Sequence, residues 1–112
     1  MRAKPDTSGA GGAVDLASID VVTVLQALSD PVRLEIVRQL AGCGATGELT
    51  CGQIELPVSK STTSHHLKTL SVAGIIAERE VGTRKYLHLR REELEERFPG
   101  LIESVLRAAG TA

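Results

Sequence analysis

The chain has 112 residues, 42% of them hydrophobic and 24% charged, with a formal net charge of −1, one Phe, one Tyr and no Trp. Such a composition excludes a disordered polyelectrolyte and gives one small globular domain with an aliphatic core. No apolar run approaches the roughly 18 residues of a membrane span, and the N-terminus lacks a signal-peptide core, so a cytoplasmic protein with no membrane partner is expected.

A chain this short buries only about 65% of its unfolded surface. Association with a second copy would add the missing burial. Charge is distributed unevenly: residues 1–58 carry four basic and seven acidic side chains, residues 59–90 six and two, and residues 91–112 three and five. The positive charge is concentrated in the middle of the chain, and distribution matters more than the sum for a polyanionic partner.

Residues 1–14 are rich in Gly, Ala and small polar residues without periodicity, and are expected to form a disordered arm. A single domain follows over residues 15–109. Leu16, Ile19, Val22, Val24, Leu25 and Leu28 suit a helix from Leu16 to Leu28. Asp30 then caps a second helix that opens on Pro31, runs to about Ala41 and buries Val32, Ile36, Val37 and Leu40. Gly42 to Gly47 reads as a flexible loop. A two-turn helix is expected within Glu48–Leu56, starting at Thr50 and closing before Pro57, because proline disfavours helical geometry in the residue before it.

The stretch from Ser59 to Gly74 reads as a helix of about 22 Å. Ser59 or Ser61 caps it, and Gly74 ends it. Thr63, Leu67, Leu70 and Gly74 fall on one stripe; Ser61, Thr62, His65, Lys68, Thr69 and Val72 fall on the other. Solvated helix faces carry charges of both signs, whereas this one has no acid. His65 points outward, and the neighbouring His66, about 100° around the helix, is expected to pack.

Past Gly74 the period changes to two. Ile75–Glu80 and Arg84–Arg90 alternate as strands about the turn Val81-Gly82-Thr83, with Leu87 and Leu89 on one face and Tyr86 and His88 on the other. Arg91–Phe98 makes a short acidic helix. Pro99 opens a last one, in which Leu101, Ile102, Val105, Leu106 and Ala109 form an apolar seam. Leu16, Ile19, Leu101, Ile102, Val105 and Leu106 are expected at the interface of a homodimer. Helix, tight corner, polar helix and β-hairpin together read as a mainly α winged helix-turn-helix.

Three stretches in this order resemble the ArsR (ArsR/SmtB) family of winged-helix transcriptional regulators. They are Ala27–Leu40, Ser64–Leu70 with Ala73-Gly74-Ile75-Ile76, and the wing Gly82–Tyr86. The resemblance extends over about Leu16 to Leu106. It implies a homodimeric repressor that grips a palindromic operator in double-stranded DNA and is released by an effector. It also implies recognition by Ser59–Gly74 and a wing at Glu80–Tyr86. On that basis Lys60, Lys68, Arg84 and Lys85 are assigned chiefly to phosphates or the minor groove, and Ser61, Thr62, Ser64, His65 and Thr69 to base edges or nearby phosphates.

The chain departs from the family's metal sensors. Members that bind soft metals before the recognition helix carry Cys-x-Cys, but residues 48–54 hold one thiol, Cys51, and residues 91–112 contain no His beside Glu103. No metal and no cofactor is therefore expected, and the effector is not identified. A Cys43–Cys51 disulfide in a redox-sensing repressor is one alternative. A winged-helix module that docks an acidic protein is another. An enzyme using Cys51 with His65 or His66 is not expected, because the chain has no Gly-rich phosphate loop and no paired-carboxylate pocket.

Overall fold

A computed structural model of the chain describes residues 15–43 and 48–110, apart from the side chains of Leu16 and Cys51. The expected arm at residues 1–14 lies outside the described residues. Eight elements follow one another: α1 (Val21–Leu28), α2 (Pro31–Ala41), β1 (Glu48–Thr50), α3 (Lys60–Val72), β2 (Ile76–Val81), β3 (Arg84–Leu89), α4 (Arg91–Arg97) and α5 (Leu101–Ala108).

The first expected helix is broken in two. Leu16–Ser18 makes a 3-10 turn, and α1 begins only at Val21 because Asp20, in extended geometry, accepts the Thr23 N–H at 3.3 Å. A carboxylate is worth more at the cap than inside the helix, where it competes with the backbone. Asp30 does the same for α2, accepting from Val32 N–H at 2.8 Å and Arg33 N–H at 3.1 Å, with Pro31 in the first turn. These backbone donors, Arg33 N–H first, hold the Asp30 carboxyl below its ordinary range.

The expected two-turn helix before Pro57 is corrected by the structure. Glu48–Thr50 is a strand, Cys51–Gln53 a 3-10 turn, and the chain then runs without regular structure to Ser59. Two causes are visible. β1 covers the outer edge of β3, pairing Glu48 with His88, Leu49 with Leu87 and Thr50 with Tyr86. Gln39 clamps the rest: its side-chain amide donates to Glu55 O at 2.8 Å, and its oxygen accepts Glu55 N–H at 3.1 Å. Both polar groups of the Glu55 backbone are thus satisfied without a helix.

The sheet has the order β1-β3-β2, all antiparallel, with Ile76 opposite Leu89 and Val81 opposite Arg84. The hairpin turn is two residues, Gly82-Thr83. Gly82 takes φ +62° while Thr83 stays at negative φ, the pattern of a type II′ turn. Leu49, Ile76, Leu87 and Leu89 share the inward face, on which Ile76 and Leu87 are fully buried.

One core joins the helices to this face. It includes Val24, Ile36, Val37, Leu67, Leu70, Leu94, Ile102 and Leu106. Ile19, Ile102 and Leu106, expected at a dimer seam, are each buried within this single chain at 4%, 1% and 3% exposure. Leu101 and Val105 are half-buried against the same core. The apolar side chains left exposed on α1 are Val21, Val22 and Leu25. None of the described helices is long and apolar enough to cross a membrane.

Candidate nucleic-acid interface

Helix α3 starts where its sequence provides a cap. Ser59 is extended at ψ 163°, and its Oγ accepts Thr62 N–H at 3.2 Å, which settles the cap in favour of Ser59 over Ser61. The Ser59 hydroxyl also lies 3.2 Å from Ser61 Oγ and 3.0 Å from Thr62 Oγ1. Three hydroxyls therefore cluster at the positive end of the helix dipole.

The far end closes as a Schellman motif. Ile75 N–H donates to Leu70 O and Gly74 N–H to Ser71 O, both at 3.0 Å, with Gly74 at φ +84°. Glycine is required there twice over. A Cβ on Gly74 would stand 2.1 Å from Ile19 Cδ1, so the segment ahead of α1 is seated directly on the end of α3.

Between these ends Leu67 and Leu70 are buried, and Lys60, Ser61, Thr62, Ser64, His65 and Lys68 are exposed. Thr69 is half-buried, with its hydroxyl donated to His65 O at 3.1 Å. Among the described residues, no hydrogen bond or ion pair engages the charged end of Lys60, Lys68 or Arg84. These three cations are free for a ligand.

His66 turns the other way. Its Nδ1 lies 3.3 Å from Arg33 Nη1, and since arginine only donates, Nδ1 is the acceptor. Arg33 also donates from Nε to Ala27 O at 2.7 Å and from Nη2 to Gln26 O at 3.4 Å. One guanidinium thereby ties the last turn of α1 and the start of α2 to α3. Sequence reasoning missed this post; its only sequence signal is a cation in the first turn of α2, where the helix dipole does not favour one.

Behind the wing, Glu48 and Arg79 form a two-pronged pair at 2.7 and 3.0 Å across β3, and Arg79 Cζ stands 5.0 Å over the Tyr86 ring. The Arg79 hydrogen bond holds the Glu48 carboxyl below its ordinary range. The wing stem is thus braced from β1 to β2. At the tip, neighbouring Arg84 and Lys85 point to opposite faces of the sheet. Arg84 is free, whereas Lys85 Nζ lies 3.6 Å from Glu78 Oε1.

A groove of about 430 Å³ separates α3 from the wing, lined by Ser64, Leu67, Lys68, Ser71, Val72, Glu78 and Lys85. Fold and site together set beside the capped helix, with its acid-free polar face, a wing whose Lys85 lines the shared groove and whose Arg84 lies on the opposite face of the sheet.

Among the described residues, no three His, Cys, Asp or Glu side chains converge as a metal site would. Cys43 is a free thiol whose S–H donates to Leu40 O at 2.9 Å. The side chain of Cys51 and residues 44–47 lie outside the described residues, so the Cys43–Cys51 pairing is an expectation from sequence alone.

These features define a winged helix-turn-helix. The family model described as "Bacterial regulatory protein, arsR family" matches residues 30–78, which hold α2, the corner, α3 and the start of β2. An HTH-type transcriptional regulator from Bacillus subtilis, YceK, is 38% identical over 84 residues, 73% of this chain and 82% of its own length. The transcriptional repressor SdpR of the same organism is 35% identical over 73% of this chain and 89% of its own. Among solved structures, the homodimeric winged helix-turn-helix DNA-binding domain Mb0332 from Mycobacterium bovis superposes with a TM-score of 0.60 at 29% identity, covering 78% of each chain. The chain belongs to the ArsR family of bacterial transcriptional regulators.

Proposed function

We propose that this regulator is a repressor that binds a palindromic operator as a homodimer and leaves it when an effector binds. The observation that carries the DNA reading is the face of α3. Lys60, Ser61, Thr62, Ser64, His65 and Lys68 are exposed together, the helix holds no acidic residue, and both its lysines are unpaired among the described residues. Lys60, Lys68, Arg84 and Lys85 contact phosphates or the minor groove, which supplies affinity. Ser61, Thr62, Ser64, His65 and Thr69 face base edges or adjacent phosphates, which supplies specificity.

Dimerisation follows from surface left uncovered. Val21, Val22 and Leu25 are 39%, 53% and 47% exposed on one short helix, and Leu101 and Val105 are only half-buried. The Mb0332 domain is homodimeric, and covering these faces with a second copy sets two recognition helices about 34 Å apart for successive major grooves. Ile19, Ile102 and Leu106 then support the seam from the core beneath it.

Release runs through something other than the family's Cys-x-Cys or His-bearing sites, since residues 48–54 hold one cysteine and residues 91–112 no histidine. The test of the DNA reading is titration of the full chain with a duplex from its own promoter, competed by salt and by unrelated duplex. Binding that weakens steeply with salt and survives excess unrelated duplex supports it. A partner preference for an acidic protein over both duplexes removes it.

A further inference from the structure

The wing carries two adjacent cations with opposite fates, and the difference lies in the strand opposite. Arg84 faces the side of the sheet shared with Val81, Arg79 and Tyr86. Its one close cross-strand neighbour, Val81, is apolar, and among the described residues no ion pair engages its guanidinium. Lys85 faces the α3 side. There it stands directly across from Glu80 in the ladder and within 3.6 Å of the Glu78 carboxylate on the diagonal. Two acids therefore bracket one cation at the rim of the groove that Lys68, Ser64 and Ser71 line from the recognition helix.

We infer that Glu78 is a counter-charge that weakens the contact of Lys85 with the DNA backbone and so tunes the strength of the sequence-independent grip. This rests on the DNA reading and adds to it a residue that no phosphate-binding pattern would include. The physics is competition. A lysine neutralised by a neighbouring carboxylate brings little net positive charge to a phosphate, so it displaces few of the cations condensed on the DNA. Reaching the phosphate also leaves the carboxylate facing it across the groove, and like charges in that position repel. The pair is exposed, 44% on Lys85 and 26% on Glu78, so it is weak enough to be given up without disturbing the fold.

Glu78 is also well placed to act chiefly on the backbone grip. It sits on β2, outside α3, and of the base-facing side chains only Ser64 lines its groove, while Ser61, Thr62, His65 and Thr69 do not. Its effect is the same on every duplex, operator or not.

The experiment uses the full chain, an operator duplex and an unrelated duplex, with affinities measured by fluorescence anisotropy across a salt series from about 50 to 200 mM. Glu78→Gln keeps the size of the side chain and removes its charge. It is expected to tighten both duplexes alike, by roughly 3- to 10-fold at the low-salt end, and to steepen the salt slope by about 0.9 per protomer. Lys85→Ala in the natural background should flatten the slope by less than half of what Arg84→Ala does. In the Glu78→Gln background it should abolish the whole gain. Thermal melting of each variant checks that the fold is intact.

If Glu78→Gln leaves the slope unchanged, or its gain survives Lys85→Ala, the counter-charge role is overturned while the DNA reading stands. A natural chain that binds neither duplex in a salt-dependent way overturns both.

Discussion

His65 and His66 are chemically identical neighbours whose roles are separated by about 100° of helix rotation. His66 accepts from Arg33 and belongs to the junction of three helices; His65 is exposed on the acid-free face. His65→Ala should weaken operator binding by about 1–3 kcal/mol and relax base preference at one position of each half-site. Arg84→Ala should weaken operator and unrelated duplex equally and reduce the salt slope by about 0.9 per contact. Competition binding with a set of single-base operator variants tells these two outcomes apart. Glu35 gives a prediction of another kind. Arg38 foremost, and then Gln39, hydrogen-bond its carboxylate and hold its pKa near 2, against an ordinary 4.5. Glu35 thus stays ionised in the folded chain well below the pH at which it protonates when unfolded. Its contribution to stability is full above 4.5 and is lost as pH falls from there toward 2. Denaturant midpoints of Glu35→Gln and the natural chain should therefore differ at neutral pH and converge on acidification; a constant gap would contradict the assignment.

At the scale of elements, the decisive joint is the end of α3. Gly74 is held at φ +84° with Ile19 against its α-carbon, so Gly74→Ala meets both a left-handed backbone penalty and a steric clash. A loss of about 3 kcal/mol is expected, read as a lower denaturant midpoint. Ile19→Ala removes the clash without the backbone cost, and the double variant should recover part of the loss. The sequence located this joint because glycine after a periodic run is a local signal, and Ser59, Asp30-Pro31 and Gly82-Thr83 were readable for the same reason. It failed between Glu48 and Leu56, where the structure is decided from outside. β1 exists because β3 offers an edge, and Glu55 is held by Gln39, sixteen residues earlier. Neither partner lies in the window that local pattern reads. Periodicity also could not divide the apolar seam of α5: Ile102 and Leu106 are buried in the chain's own core, while Leu101 and Val105 are only half-buried beside them. Of the candidate site, the residue types and their face could be read from sequence, but the restraint of Lys85 by Glu78 and the post built on Arg33 could not, since each needs a contact across elements.

For the molecule as a whole, a net charge of −1 and a polyanionic partner are compatible because charge is sorted by position. Most acids lie in the first half of the chain and on α4 and α5, and Glu35, Glu48 and Glu103 are paired with Arg38, Arg79 and Arg91. Lys60, Lys68 and Arg84, unpaired among the described residues, lie on α3 and the wing. In the proposed dimer, two such surfaces brought together through α1 and α5 would make a reader of inverted repeats out of a chain too small to read more than one groove by itself. The most direct measurement is selection of bound fragments from random duplex DNA by the full chain, in parallel with its His65→Ala variant. The expected result is an inverted repeat with half-site centres about 10 base pairs apart, enriched by the natural chain and blurred for the variant. Selection that enriches no sequence, or returns the same unrepeated site for both proteins, would contradict the reading of α3 as the recognition element of a dimeric repressor.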